Sequence, residues 1–352
     1  MEYIDGTPNA TGELSFKLFY SSKDAFFQKE EVECHVFVFI KPDTRKMFDR
    51  EVEPQPNQPY PKAHLDKCFV RGGEKTLVGA SRRGRSHAMD GTFRDDDMRL
   101  AYQPEDGWYI MAVADGAGSA KYARKGSLIA CETAVSTIQN SGKLAELDKY
   151  LLENTPHTEG DKNTPELKTL MYNLLGQTAF EAHKAINRET ANRAGSTDKD
   201  FSTTLLISIV KKYENNWFIG SYWVGDGGIG IYFEDKDPII MGVADAGEFS
   251  GQTRFLTMRE IFADYETIAK RLYVAFVPDF KALVLMTDGV TDALFHTEAN
   301  LLKKEVWDKF YKHLTNEVNL ETSTPSVSDD LLGWLNFWEK GEYDDRTIAI
   351  LY

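Results

Sequence analysis

The amino-acid sequence predicts an α+β protein in which antiparallel sheets pack together and are covered by helices. Two observations indicate this class. Residues 202–233 read as three consecutive strands, and the segment Tyr213–Asn216 between the first two is a hairpin signal. Apolar residues at three- and four-residue steps predict helices that are grouped after strands. Successive hairpins give antiparallel pairing, which excludes a simple doubly wound parallel sheet.

Residues 1–70 are predicted to be an N-terminal extension of unknown role. Alternating apolar residues within it predict one strand near 31–40. Four prolines between positions 54 and 61 then predict an extended connector, because proline cannot donate a hydrogen bond to a sheet. The extension is too poor in apolar periodicity to predict an independently folded domain.

Residues 71–352 are predicted to form the main domain, and the periodicity of apolar residues predicts its helices and strands. Its histidines His157 and His183 are interpreted as surface residues without a functional role. The predicted elements, in chain order, are a strand at 76–80, a polar loop at 81–97, a strand at 110–114, a helix after Ser119, a longer helix over 167–186, strands at 202–210, 217–224, 229–233 and 282–287, helices at 301–316 and 330–339, and a final strand.

The net negative charge of the chain argues against some classes of function. Its 352 residues carry a net charge of −14 without a long Lys/Arg block, which argues against a general nucleic-acid or membrane-surface role. No apolar run approaches the roughly 20 residues that span a bilayer, and the first residues lack the pattern of a signal peptide. Three widely spaced cysteines indicate reduced thiols. We therefore expect a cytoplasmic protein without nucleic-acid or membrane partners.

Acidic residues recur at the ends of the apolar runs. Three runs end in an Asp-Gly pair, at Asp115, Asp226 and Asp288, and Asp344-Asp345 opens the last run. An ionised carboxylate at the end of a buried strand is costly unless a cation meets it. Each Asp-Gly pair taken alone is also a common turn. Several together, each at a strand end, are what an oxygen-liganded divalent metal site requires.

The polar segment 81–97 combines arginines with aspartates. Guanidinium groups suit phosphate oxygens, and aspartates suit metal ions. For any single residue the simpler interpretation is a solvated loop, and the spacing does not identify which arginine matters. The residues concerned are Arg82, Arg83, Arg85, Arg94, Asp95, Asp96 and Asp97.

Four segments of this chain, in order, resemble the metal-dependent protein phosphatases of type 2C. Their order and their positions on apolar strands make the likeness far more specific than one Asp-Gly pair. The threonine-rich strand start at 202–204 is also similar to that family. The four segments are Arg94–Asp96, Val113–Ser119, Val224–Gly227, and Met286–Gly289 together with Asp344–Thr347.

The resemblance implies a four-layer α-β-β-α sandwich, with two mostly antiparallel sheets flanked by helices, for residues 71–352 as a type 2C-like phosphatase domain. It also implies two Mn²⁺ or Mg²⁺ ions and leaves open a third. Asp115 would bridge the ions. The other implied ligands are the Gly116 carbonyl, Asp288 and Asp344, with Asp96 or else Asp95 reaching a metal-bound water, and Asp226 holding a metal-bound water or a further ion.

The implied reaction is hydrolysis of phosphoserine and phosphothreonine in proteins by a hydroxide that bridges the two ions. Many members have an arginine where this chain has Gly91, so the phosphate-binding arginine is open among three candidates. The chain also departs from frequent family residues at Ala117 and at 227–228. The expected catalytic residues are Asp115, Asp226 and Arg85, and the phosphate-binding candidates are Arg83, Arg85 and Arg94.

Two other functions compete with this hypothesis. One is a catalytically weak signalling or binding module on the same fold, although such a module need not keep clustered carboxylates. The other is a metal hydrolase that acts on small phosphate esters. The expected partner is a phosphorylated protein, and a Ser/Thr kinase or its targets are candidates by family analogy only.

Overall fold

The computed structural model describes residues 12–20, 32–40, 45, 48, 51–154, 164–242 and 253–352. The chain divides into two compact units, Met1–Glu51 and Val52–Tyr352. This division lies earlier than the boundary expected after residue 70. The reason is that Leu65–Arg71 pairs with Thr76–Arg82, so that it belongs to a sheet of the second unit.

The described part of the first unit is an antiparallel hairpin. Its strands are β1, Gly12–Tyr20, and β2, Val32–Ile40. Gly12 lies opposite Ile40, and Tyr20 lies opposite Val32. The strand expected near 31–40 is therefore confirmed as β2.

The second unit contains two antiparallel sheets. Their strands are β3 Leu65–Arg71, β4 Thr76–Arg82, β5 Asp97–Gln103, β6 Trp108–Ala114, β7 Leu205–Tyr213, β8 Asn216–Val224, β9 Gly228–Tyr232, β10 Ile239–Ile240, β11 Leu272–Val277, β12 Ala282–Met286 and β13 Arg346–Leu351. The six-stranded sheet has the order β10-β9-β12-β13-β4-β3, and the five-stranded sheet has the order β11-β8-β7-β6-β5.

Helices connect these strands. A π-helical turn, Tyr172–Gly176, joins two of them into the long helix that the sequence predicts. The α-helices are α1 Arg85–Asp90, α2 Ala123–Asn140, α3 Lys143–Glu153, α4 Pro165–Met171, α5 Gln177–Asn192, α6 Tyr265–Ala269, α7 Asp288–Phe295, α8 Lys304–Thr315 and α9 Ser326–Trp334. Short 3₁₀ helices lie at Asp198–Phe201, Arg259–Phe262 and Glu298–Leu302.

Three apolar clusters define four layers. Between the sheets, Met111 and Leu206 of one sheet share a cluster with Leu283 and Leu351 of the other. Helices α2, α4 and α5 pack on the outer face of the five-stranded sheet. Helices α7, α8 and α9 pack on the outer face of the six-stranded sheet. The predicted four-layer α-β-β-α sandwich is confirmed.

Three local predictions differ from the structure. The segment 229–233 was expected to extend a meander, but β9 leaves the sheet of β8 and pairs with β12 in the other sheet. The polar loop at 81–97 contains the short helix α1. His183 is buried, and its Nδ1 lies 2.8 Å from the carbonyl oxygen of Leu256. None of the helices in the described ranges is long and apolar enough to cross a membrane.

Candidate metal centre

Three aspartates from different strand ends meet at one edge of the two sheets. Asp115 follows β6, Asp226 follows β8, and Asp288 begins α7 directly after β12. Each offers a carboxylate oxygen, and the three oxygens lie within 4.8 Å of one another. Two of these strands lie in the five-stranded sheet and one in the six-stranded sheet, so the packing of the sheets is what assembles the group.

The main chain of Asp115 is fixed by the start of β7. The Asp115 amide donates to the Thr204 hydroxyl at 2.8 Å, and the Thr203 hydroxyl donates to the Asp115 carbonyl at 2.7 Å. The next residue, Gly116, is packed so closely that a Cβ there would lie 2.7 Å from the Asp95 carbonyl oxygen. A side chain at position 116 would therefore push the segment of Asp95 away from Asp115.

Asp226 lies where the chain crosses from one sheet to the other. Gly225 and Gly227 on either side have φ angles of +105° and +91°, which L side chains rarely adopt. The hydroxyl of Thr253 donates to Asp226 Oδ2. The sharp turn between β8 and β9 thus explains both the glycines beside Asp226 and the failure of the predicted meander.

A second acidic group adjoins the first. Ligand atoms of His87, Asp344 and Asp345 lie within 4.8 Å of one another. Asp345 is buried, and its oxygens accept hydrogen bonds from the amides of Gly84 and Asp95, both at 2.5 Å. His87 Nδ1 lies 3.0 Å from Asp345 Oδ1. Asp345 therefore ties the strand end to the polar segment, whereas Asp344 is exposed and its Oδ1 accepts a hydrogen bond from the Asp345 amide at 2.8 Å.

The clustered carboxylates of the site raise one another's pKa values. Burial and the charges of Asp288 and Asp96 raise the pKa of Asp115 well above its ordinary value. Burial and the charges of Asp226 and Asp344 do the same to the pKa of Asp288. The pKa of Asp96 is raised to about 7 by burial and by the charge of Asp345. A site in which carboxylates repel one another in this way is stabilised by cations.

His87 and Asp345 form an ion pair beside these carboxylates. Burial lowers the pKa of His87, but the hydrogen bond and charge of Asp345 and the charge of Asp95 outweigh it and raise the pKa to about 9. Burial would likewise raise the pKa of Asp345, but His87 and the amides of Gly84 and Asp95 hold it below its ordinary value. At neutral pH this pair is therefore internally compensated.

The carboxylates fit hard divalent cations. In the part of the chain that the structure describes, a buried Oδ1 atom of Asp96, Asp226 and Asp288 has no hydrogen-bond partner. Buried polar atoms in proteins nearly always have one. Carboxylate oxygens are the preferred ligands of Mg²⁺ and Mn²⁺. The donor set and its unpaired oxygens thus match a divalent metal centre.

The three candidate arginines all have protein partners. Arg83 and Arg94 are buried, and each donates to a main-chain carbonyl of the segment 52–64 at 3.2 Å. Arg85 is partly exposed and donates to the carbonyl of Asn336 at 2.9 Å. The polar segment therefore uses Arg83 and Arg94 to hold the fold, and Arg85 is the most accessible of the three.

Several residues near the carboxylates were not predicted from the sequence. The Thr287 hydroxyl donates to Asp96 Oδ2 at 2.9 Å. The Lys62 ammonium donates to the Asp96 carbonyl at 2.6 Å, and Arg124 Nη1 lies 3.8 Å from Asp95 Oδ1. Thr287 directly precedes a singled-out aspartate, which is a signal that could have been used. Lys62 lies far away in the proline-rich connector and carries no local signal.

The chain matches the family model described as protein phosphatase 2C over residues 83–336. It has no match among curated proteins. A structural neighbour is the serine-threonine phosphatase 2C from Toxoplasma gondii, with a TM-score of 0.50 and 13% identity, covering 82% of this chain and 98% of that chain. This neighbour shares the fold.

Two further structures are similar at lower TM-scores. The catalytic domain of the serine threonine protein phosphatase PstP, in complex with two manganese ions, has a TM-score of 0.41 and 14% identity, covering 82% of this chain and 98% of that chain. The serine/threonine phosphatase Stp1 from Staphylococcus aureus has a TM-score of 0.39 and 13% identity, covering 85% and 98% of the two chains.

Proposed function

Because the chain belongs to the protein phosphatase 2C family, it is a protein serine/threonine phosphatase, and we propose that it works through two divalent ions held by its strand-end aspartates. Phosphatases of this family depend on Mn²⁺ or Mg²⁺. The observation that carries the proposal is the convergence of Asp115, Asp226 and Asp288, whose carboxylate oxygens lie within 4.8 Å of one another.

The ligands proposed for the ions come from both acidic groups. Asp115 would bridge the ions, with the Gly116 carbonyl, Asp288 and Asp344 completing the set and Asp226 available to a further ion. When bound, the two ions would activate a water as the nucleophile and neutralise charge on the transferred phosphoryl group. Asp96, held by Thr287, would orient that water through its unpaired Oδ1.

The substrate class follows from the family, and the partner is a proposal by analogy. A phosphorylated protein would present its phosphoserine or phosphothreonine at the acidic edge of the sheets. The acidic chain, with a net charge of −14, repels a phosphate group until bound cations reverse the local potential. A Ser/Thr kinase or one of its targets is a natural substrate for such a site.

Metal-dependent hydrolysis tests the proposal. We expect Mn²⁺ or Mg²⁺ to support dephosphorylation of a phosphothreonine peptide and a chelator to abolish it. Asp115→Asn should lower kcat by at least about 100-fold, because the bridging carboxylate loses its charge. Asp237→Asn, which changes an exposed aspartate, is the control and should leave kcat unchanged. Wild-type turnover in the Asp115→Asn protein, or turnover without metal, would reject the mechanism.

A second experiment separates the arginines. We expect Arg85→Ala to lower kcat/KM for the phosphopeptide with little loss of thermal stability, because Arg85 is the accessible guanidinium group. Arg94→Ala should instead destabilise the protein by roughly 2 kcal/mol, because Arg94 is 2% exposed and donates to the Ala63 carbonyl and the Ser81 hydroxyl. Equal, small effects on kcat/KM from both variants would argue against phosphate binding by Arg85.

A further inference from the structure

A proline-rich segment of the second unit, residues 52–64, lies outside the region that matches the family model. We call it the strap. Its main-chain carbonyls accept hydrogen bonds from buried arginines of the phosphatase region. Those bonds run from Arg83 to Val52 at 3.2 Å, from Arg94 to Ala63 at 3.2 Å, and from Arg124 to Pro59 at 2.7 Å and to Tyr60 at 2.8 Å.

The Tyr60 side chain of the strap also reaches α5 and the residue that precedes α2. The Tyr60 hydroxyl donates to Glu189 Oε1 of α5 at 2.7 Å. The Tyr60 ring packs edge-on against Tyr122, just before α2, with a centroid distance of 5.5 Å. The strap is therefore bound to the phosphatase region by both its main chain and its side chains.

Lys62 is the strap residue that approaches the carboxylates most directly. Its side chain is 11% exposed, and its ammonium lies 2.8 Å from Asp97 Oδ2. It also donates to the Asp96 carbonyl at 2.6 Å and to the Ser127 hydroxyl of α2 at 3.2 Å. A fourth acceptor, the Arg124 carbonyl, lies at 3.3 Å. A single buried cation thus joins the segment of Asp96 to the beginning of α2.

The residues around Lys62 hold Asp96 from both sides. The Ser127 hydroxyl donates to the carbonyl of Asp95. Asp97 is 1% exposed, and its other oxygen accepts a hydrogen bond from Arg99 at 2.5 Å. The segment 95–97 is therefore fixed by several groups, one of which is the Lys62 ammonium. The Asp96 carboxylate accepts a hydrogen bond from the hydroxyl of Thr287, the residue that precedes Asp288.

We propose that Lys62 is a positioning residue for the metal centre, supplied by a segment that the phosphatase family model does not cover. It would hold the Asp96 peptide and the Asp97 carboxylate in place, so that the Asp96 carboxylate faces the ions. This inference rests on the proposed two-ion function. It assigns to the strap a direct part in the site, whereas the sequence indicated only a connector.

A positioning role and simple electrostatics predict opposite changes in metal affinity when Lys62 is removed. A positive charge close to carboxylates repels a metal ion, so its removal would tighten metal binding if charge alone mattered. If Lys62 positions Asp96, its removal weakens metal binding. Asp96 would hold a metal-bound water, and mutation of groups outside the direct ligands typically changes metal affinity by about 10–100-fold.

Mn²⁺ titration of the full-length chain, without phosphopeptide, decides between them. We expect Lys62→Met to weaken Mn²⁺ binding, measured by calorimetry or by the EPR signal of free Mn²⁺, by about 10-fold or more. Lys75→Met is the matched control, since Lys75 is also 11% exposed and pairs with Asp279 at 3.2 Å. It should lower thermal stability without changing the Mn²⁺ dissociation constant. Unchanged or tighter Mn²⁺ binding by folded Lys62→Met protein would overturn the inference.

Lys62→Gln provides the test if Lys62→Met does not fold. This variant keeps a polar group beside Asp97 but removes the positive charge, so charge alone would tighten Mn²⁺ binding, whereas loss of the ammonium contacts should weaken it. Mn²⁺ binding at wild-type strength would overturn the inference. If the wild-type protein itself neither binds Mn²⁺ nor hydrolyses phosphopeptide, the proposed function fails, and that result is distinct from a failure of Lys62 alone.

Discussion

At the scale of single residues, neighbouring aspartates of this protein have different roles. Asp345 uses both oxygens to hold the amides of Gly84 and Asp95, and it pairs with His87. Asp344 is exposed beside it. Asp96 is fully buried with one oxygen unpaired among the described residues. Among the described residues, Asp226 and Asp288 likewise keep a buried Oδ1 without a hydrogen-bond partner, so these oxygens are the ones that a cation could use.

The raised pKa of Asp96 predicts how the stability of the folded protein changes with pH. The folded-state pKa of about 7 lies above the ordinary value of 3.8, so the stability that protonated Asp96 contributes is lost as the pH rises through 7. With metal chelated, Asp96→Asn should be more stable than wild type at pH 8, by on the order of 2–4 kcal/mol, and the gain should be clearly smaller at pH 5, because it disappears only below the ordinary pKa of 3.8.

Thermal unfolding at both pH values measures this difference. Asp237→Asn, at an exposed position, should show no such pH-dependent gain. Addition of Mn²⁺ at pH 8 should stabilise wild type more than Asp96→Asn, because the variant lacks the carboxylate. A stability difference that is the same at pH 5 and pH 8 would contradict the electrostatic account of Asp96.

At the scale of elements, the second unit begins well before the region that matches the family model. Strand β3 pairs with β4 along all seven of its residues, from Leu65 opposite Arg82 to Arg71 opposite Thr76. The strap precedes β3 and accepts hydrogen bonds from three buried arginines. Both elements therefore contribute to the phosphatase unit, whereas β1 and β2 belong to a separate one.

Two truncations test this division. A protein that starts at Val52 should keep its thermal stability and its Mn²⁺-dependent kcat/KM within about twofold, because it retains the strap and β3. A protein that starts at Gly72 should lose stability and Mn²⁺-dependent activity, since β4 would become an unpaired edge and the arginines would lose their acceptors. If the shorter protein matched the longer one, the boundary expected after residue 70 would be the better description.

At the scale of the whole molecule, the sequence was most informative where a pattern is local. The strand ends at Asp115, Asp226 and Asp288 were found because an apolar run followed by Asp-Gly is visible in one short window. Their convergence required the packing of two sheets, which local periodicity does not specify. Their repetition at strand ends indicated a shared metal site, and the family resemblance supplied the expected ligand set. The crossing of β9 between sheets was missed because a strand's partner depends on the turn at Gly225 and Gly227.

The residues that the sequence did not reveal act through long-range contacts. Lys62 lies 34 positions from Asp96, and Arg94 donates to the carbonyl of Ala63, which lies 31 positions away. A buried cation whose partners are carbonyl groups has no composition signal, since every residue has a carbonyl. The role predicted for the polar segment at 81–97 stays a prediction, and its arginines Arg83 and Arg94 donate to carbonyls of the strap, which the sequence could not reveal.

The most direct test of the central claim is a crystal structure of the protein grown with Mn²⁺, in which anomalous scattering locates the ions. The account predicts two Mn²⁺ peaks, with Asp115 oxygens within about 2.0–2.6 Å of both and with Asp288 and Asp344 as further ligands. The account would be contradicted if Mn²⁺ bound only elsewhere. It would also be contradicted if the carboxylates of Asp115, Asp288 and Asp344 lay too far apart to hold the same two ions.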